Sequence, residues 1–149
     1  MHKEFIALPL TGKVLSLKHV PEEHFASGSL GPGFAVQFSG DKLYAPFDGT
    51  VIATFPTGHA FILRRADGLE LLMHVGIGSA KLPQAFSAQV KKYQQVKRGE
   101  VLTLIKPQFF DDATAYCPVV FSNPEIEVMV LREGQELAAL SADAVKVLY

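Results

Sequence analysis

The chain has 149 residues, 48% of them hydrophobic and 19% charged, the balance of a globular unit that buries roughly two-thirds of its unfolded surface. A formal net charge of -1 removes the electrostatic case for nucleic acid or an acidic membrane as the main partner. The single cysteine, Cys117, cannot form an internal disulfide or supply a cysteine-pair metal or redox motif, which suits a reducing compartment.

The start of the chain, Met1-His2-Lys3-Glu4, carries an early acid and runs into Pro9 and Gly12, unlike a secretory leader. No stretch approaches the roughly 18 apolar residues that span a bilayer. The expectation is one cytoplasmic domain over residues 1–149, without membrane insertion. Short apolar runs follow in order: Val14 to Leu17, Phe34 to Phe38 and Val51 to Phe55. Turn chemistry punctuates them at Thr11-Gly12, Ser39-Gly40-Asp41, Asp48-Gly49 and Asp67-Gly68, so they read as strands. Short helical segments are expected at Pro21 to Ala26, Phe109 to Thr114 and Ala138 to Ala144. The pattern P-x-x-G-x-V occurs at Pro9 to Val14 and Pro46 to Val51, and its G-x-V part returns at Gly99 to Val101. Each of these glycines is expected in a tight turn where positive φ is cheap. The sum is an all-β fold: an antiparallel sandwich or barrel of short strands with internal-repeat character.

The stretch Gly68 to Ala80 carries the most information. As a strand it places Leu69, Leu71, Met73, Val75 and Ile77 on one face and Glu70, Leu72, His74 and Gly76 on the other. His74 then points away from the core. Such a histidine also serves as a surface or hydrogen-bonded structural residue, and the strand alone does not choose between these roles. The turn at Asp67-Gly68 pairs this strand with Phe61 to Arg64 and sets His74 opposite residues 60 to 62. His59 and Thr57 come within its reach at the open end of the ladder.

Two imidazoles beside a hydroxyl support two kinds of chemistry. Neutral imidazoles are good zinc ligands, which makes His59 and His74 candidates for an incidental site, but such a site needs three or four donors and no motif places the rest; His24 would have to be recruited by the fold. The other chemistry is phosphoryl transfer. A neutral imidazole is nucleophilic near pH 7, and its phosphoramidate stays reactive enough to pass the group onward. A second imidazole and a hydroxyl can hydrogen-bond the phosphate. The chain has no Walker-type loop and no G-x-G-x-x-G, so a nucleotide donor is not indicated.

The segments Thr57-Gly58-His59-Ala60-Phe61 and Gly68 to Ala80 resemble the glucose-type IIA component of the bacterial sugar phosphotransferase system. The likeness extends through Pro9 to Val14, Val20 to Ala26, Gly31 to Val36, Ala45 to Val51, Val96 to Glu100 and Pro118 to Val120. It implies a β-sandwich of the duplicated hybrid motif type. It also implies that His74 is phosphorylated through Nε2, that His59 is the supporting imidazole, and that Thr57 hydrogen-bonds His59. The backbone at Gly76 would orient His74 by accepting from Nδ1. The donor implied is the phosphocarrier HPr and the acceptor a cysteine of a IIB permease domain, with permeases or metabolic enzymes as regulatory targets. No cofactor and no metal is expected. Phe25, Phe55, Leu72, Ser79 and Ala80 are expected to contact partners, although Phe25 and Phe55 could equally fill the core.

Some positions depart from the family pattern. Gly78-Ser79 stands where many members have aspartate and threonine, Leu72 where many have phenylalanine, and Glu22 where aspartate is common. Losing a carboxylate at Gly78 removes a contact for a basic residue of the donor. The leading expectation is therefore a phosphohistidine carrier. The alternatives are a regulatory binding protein with weak onward transfer and, less favoured, a zinc-dependent hydrolase.

Overall fold

The structure, a computed structural model, describes residues 2–149. Fourteen strands are present among them. The first seven are β1 (Lys3–Ile6), β2 (Gly12–Ser16), β3 (Gly33–Phe38), β4 (Lys42–Tyr44), β5 (Gly49–Thr54), β6 (Ala60–Arg64) and β7 (Glu70–His74). The rest are β8 (Phe86–Ala88), β9 (Gln95–Val96), β10 (Val101–Ile105), β11 (Tyr116–Phe121), β12 (Glu127–Val130), β13 (Glu136–Leu137) and β14 (Val145–Leu148). Every pairing between them is antiparallel. An eight-stranded sheet runs β13-β2-β3-β11-β7-β6-β5-β9, and two three-stranded sheets run β1-β14-β12 and β4-β10-β8. The all-β expectation holds. No helix among the described residues is long and apolar enough to cross a membrane.

The alternation of side chains sorts the apolar residues into two layers. Phe34, Val36, Phe61, Leu71, Met73, Val75, Cys117, Val119 and Phe121 enter the main core between the sheets. The opposite phase of the same strands sends Ala35, Val120 and Leu72 into a second cluster with Leu17, Val20 and Phe25. Covered on both faces, β11 is buried at five of its six positions and reads as an unbroken apolar run, Cys117 to Phe121.

One short helix, α1 (Glu23–Ala26), lies within the helical segment expected at Pro21 to Ala26. The Glu22 carboxylate caps it by accepting from the backbone N–H of His24 and Phe25, both at 3.3 Å. The other helical expectations are corrected. Pro107–Phe109 forms a single 3-10 turn that stops at Phe110, and residues 138–144 hold turns, pinned where Ser141 O accepts from Leu8 N at 3.0 Å. The repeat glycines Gly12 and Gly49 open strands rather than occupy turns. A Cβ on Gly12 would stand 2.7 Å from Phe38 Cα, and one on Gly49 would stand 2.6 Å from Arg64 O, so close strand approach excludes a side chain. Gly68, with φ +96°, does need left-handed freedom at the β6–β7 hairpin turn.

The ends of the described chain lie together. His2 and Tyr149 exchange both backbone hydrogen bonds, at 2.6 and 2.9 Å. Arg65, beside the β6–β7 turn, ties this corner to the large sheet through ion pairs with Glu4 and Asp67 and a 2.7 Å hydrogen bond to the Tyr149 hydroxyl.

Candidate active site

The β6–β7 ladder runs from Arg64 opposite Glu70 to Ala60 opposite His74, inside the range set by the hairpin turn. One further bond extends it: Val75 N donates to His59 O at 2.7 Å. This register brings the two imidazoles together at the open end, ring centroids 4.9 Å apart and edge to face at 81°. Phe25 of α1 lies 5.5 Å from the His74 ring, and Phe55 and Phe86 lie 5.6 and 6.2 Å from the His59 ring.

Both Nδ1 atoms are buried and meet no hydrogen-bond partner among the described residues. The opposite atom of each ring, Nε2, is therefore the one left toward the surface. Burial pushes His59 down to about 4, and the neighbouring His74 adds to the fall. His74 is also lowered by burial, against raising contributions from the Gly76 carbonyl, its own carbonyl and the Glu22 carboxylate. The shifts keep both rings neutral at pH 7, so each carries a nitrogen lone pair. Cys117 is not a competing nucleophile: it is buried beneath the strand, and its thiol is pushed up to about 12.

The model of the phosphoenolpyruvate-dependent sugar phosphotransferase system EIIA 1 family matches residues 4–126. The chain belongs to this family. It is 42% identical over 121 residues to the mannose-specific EIIBCA component of Corynebacterium glutamicum, covering 79% of this chain and 18% of that protein. It is 39% identical over 127 residues to the glucosamine-specific EIICBA component of Bacillus subtilis, covering 83% of this chain and 20% of that protein. The chain thus spans about a fifth of the length of these curated relatives. Among solved structures, glucose permease IIA from Mycoplasma capricolum matches with a TM-score of 0.86 at 25% identity, over 97% of this chain and 96% of that one.

Within this EIIA fold, the residues singled out from the sequence divide into three groups. His59, His74, Phe25, Phe55 and Gly76 come together at one end of the ladder. Gly76 has φ +89°, and a Cβ there would strike the Phe110 ring and stand 3.0 Å from Ser79 Cβ, so only glycine lets the chain turn beneath His74. Leu72 is half-buried against the second cluster, and Ala80 is exposed at the rim. The third group corrects the expectations. The Thr57 hydroxyl donates to the carbonyl of Ala80 at 3.1 Å, and no hydrogen bond joins it to His59; it ties the β5–β6 turn to the segment after His74. Ser79, expected at the partner surface, is wholly buried. Gly78, at φ +70°, starts the 3-10 turn Ser79–Lys81 and swings that side chain inward, where Oγ donates to Gly76 O at 3.2 Å.

Ile77 also departs from expectation. β7 ends at His74, and the positive φ of Gly76 carries Ile77 out of the strand's phase and onto the second cluster with Leu72 and Phe25. His24 does not join the imidazole pair as a metal ligand; it is exposed on α1, with Nδ1 2.9 Å from Glu22 Oε1. No group of three His, Cys, Asp or Glu side chains among the described residues stands placed around a metal position.

Phe86 and Phe110 were not identified from the sequence. Phe110 packs at 5.9 Å from Phe86 and 5.2 Å from Phe38, and forms the floor under Gly76. Both aromatics sit just after a proline-led 3-10 turn, at Pro83–Ala85 and Pro107–Phe109, and that shared context is the signal that could have flagged them.

Proposed function

We propose that this chain is a phosphohistidine carrier in which His74 takes a phosphoryl group from HPr and passes it to a cysteine of a IIB permease domain. The observation that carries the reading is the pair of neutral imidazoles meeting edge to face with both Nδ1 atoms buried. The Nε2 lone pair of His74 attacks phosphorus as the nitrogen–phosphorus bond of the donor's phosphoimidazolium breaks. The donor leaves as a neutral imidazole, His74 becomes the phosphoimidazolium with its proton on Nδ1, and no water or redox partner takes part. His59, beside it, donates Nε2–H to a phosphate oxygen, a charge-assisted bond that stabilises the transferring group. In the second step the IIB thiolate attacks phosphorus, the bond to Nε2 breaks, and His74 returns to the neutral state.

The exposed Phe55 and Ala80 and the half-buried Leu72, backed by the buried Phe25, form an apolar rim fit for docking two partners in turn. A cytoplasmic setting and a single folded unit accord with this reading, and the family model and the relatives' names support it. Incubation with phosphorylated HPr is expected to yield an acid-labile, base-stable phosphohistidine at His74. An unlabelled wild-type protein, or full labelling of His74→Ala, would overturn the assignment. His59→Ala should accept phosphate and pass it on poorly.

A second reading, a regulatory docking protein, draws on Gly78. It is exposed, with nothing within 4 Å of a would-be Cβ, so the rim presents no side chain there. Phosphate accepted normally but passed to no IIB domain at a useful rate would favour that reading.

A further inference from the structure

Ser79 has no place in the chemistry just described, yet among the described residues it is one of three buried polar or charged ones, with His59 and Thr103. A buried hydroxyl needs a partner, and the one it has is the carbonyl of Gly76 at 3.2 Å. That carbonyl belongs to the peptide joining Gly76 to Ile77. The same peptide is held at its other edge, where Ile77 N donates to Thr114 O at 3.0 Å. Two hydrogen bonds therefore fix the plane of a peptide that would otherwise turn easily, since Gly76 has no side chain and sits at φ +89°.

A carbonyl oxygen has two acceptor directions. With Ser79 occupying one, the other remains for His74 Nδ1, which is buried and meets no hydrogen-bond partner among the described residues. Burial disfavours the charged His74 ring, and the Gly76 carbonyl leads the groups that act in the opposite direction. The tautomer with hydrogen on Nδ1 leaves the lone pair on Nε2. The other tautomer blocks the attacking atom.

We propose that Ser79 is a positioning residue: its hydroxyl locks the Gly76 carbonyl as the acceptor for His74 Nδ1–H and so keeps Nε2 as the nucleophile. The inference rests on the phosphocarrier reading for its catalytic consequence. Its structural consequence stands apart from it. Phosphorylation places positive charge on the ring, and the prearranged carbonyl then receives a stronger Nδ1–H bond without a backbone rearrangement.

The test uses the full chain with 15N-labelled histidine, as wild type, Ser79→Ala and Ser79→Thr. Ring 15N shifts give the His74 tautomer in the absence of phosphate, and single-turnover labelling from phosphorylated HPr gives the transfer rate. Ser79→Ala should populate the Nε2–H tautomer and slow the maximal rate about 3- to 10-fold, the worth of one neutral hydrogen bond, with half-saturation in donor unchanged. Ser79→Thr, which keeps the hydroxyl, should restore both. Ala removes a single oxygen, and a thermal melt of each variant checks the fold. Wild-type ring shifts in Ser79→Ala would overturn the proposal, as would an effect confined to donor half-saturation, the mark of a docking residue. A wild type that accepts no phosphate would sink the carrier reading, while the ring shifts would still decide the role of Ser79.

Discussion

Acidification is the perturbation that most directly tests the paired imidazoles. His59 is 5% exposed and its folded pKa is about 4, whereas an unfolded histidine titrates near 6.5. A proton therefore binds the unfolded chain first. Stability from this group is complete above about pH 6.5, falls as the pH drops toward 4, and levels off once the folded state also takes the proton. A shift of that size corresponds to at most about 3 kcal/mol, and solvent at the outer ring edge reduces it to roughly 2 kcal/mol. For a chain of this length that is a melting shift of about 4 to 8 °C. The assay is urea unfolding at several pH values between 7.5 and 4, read beside the histidine ring resonances. His59→Gln should remove this part of the slope while carboxylates elsewhere keep theirs. His74→Ala should raise the His59 midpoint only slightly, because burial is the larger cause and the neighbouring ring the smaller one. A His59 midpoint at 6 or above, or an unchanged slope in His59→Gln, would refute the description of the site as a desolvated neutral pair.

Gly76→Ala combines a left-handed backbone with collisions at Phe110 and Ser79, and should cost about 2 to 4 kcal/mol; an unchanged melting temperature by calorimetry would contradict the packing. Thr57→Val loses the bond to Ala80 O and about 1 kcal/mol, Thr57→Ser keeps it, and neither should move the His59 titration, because the hydroxyl does not serve that ring. Cys117, fully buried with its thiol near 12, should resist an aromatic disulfide reagent at pH 8 and react in urea only as fast as the chain unfolds.

The parts of the site legible from the sequence are those governed by local geometry. A two-residue turn signal at Asp67-Gly68 determines the register of β6 on β7, and register alone sets His74 opposite Ala60 and beside His59. The alternation from Leu69 to Val75 likewise separates core from outer face. What escaped depends on contacts between distant segments or on a single backbone angle. The end of β7 is set by Gly76, whose positive φ answers to the Phe110 ring 34 residues on, so Ile77 follows neither face of the extrapolated strand. Ser79 looks like a rim residue by its place after Gly78, until the left-handed turn at Gly78 directs it inward. The Thr57 hydroxyl donates to Ala80 O, a partner set by where the turn after His74 settles.

The corner where His2 pairs with Tyr149 lies beside Arg65 and the β6–β7 turn, while His59 and His74 occupy the far end of that hairpin. Five residues of strand, roughly 17 Å, separate the two ends. The molecule is thus polar in the geometric sense, its points of attachment at one pole and its imidazoles at the other. Chain fused at either terminus would leave from the same corner, on the side away from the imidazoles. A domain tethered there would reach the histidines only with a linker long enough to round the body. Residues 149 and 2 could also be joined by a short linker and new ends cut at an exposed turn such as that at Gly134, leaving the imidazole pole untouched.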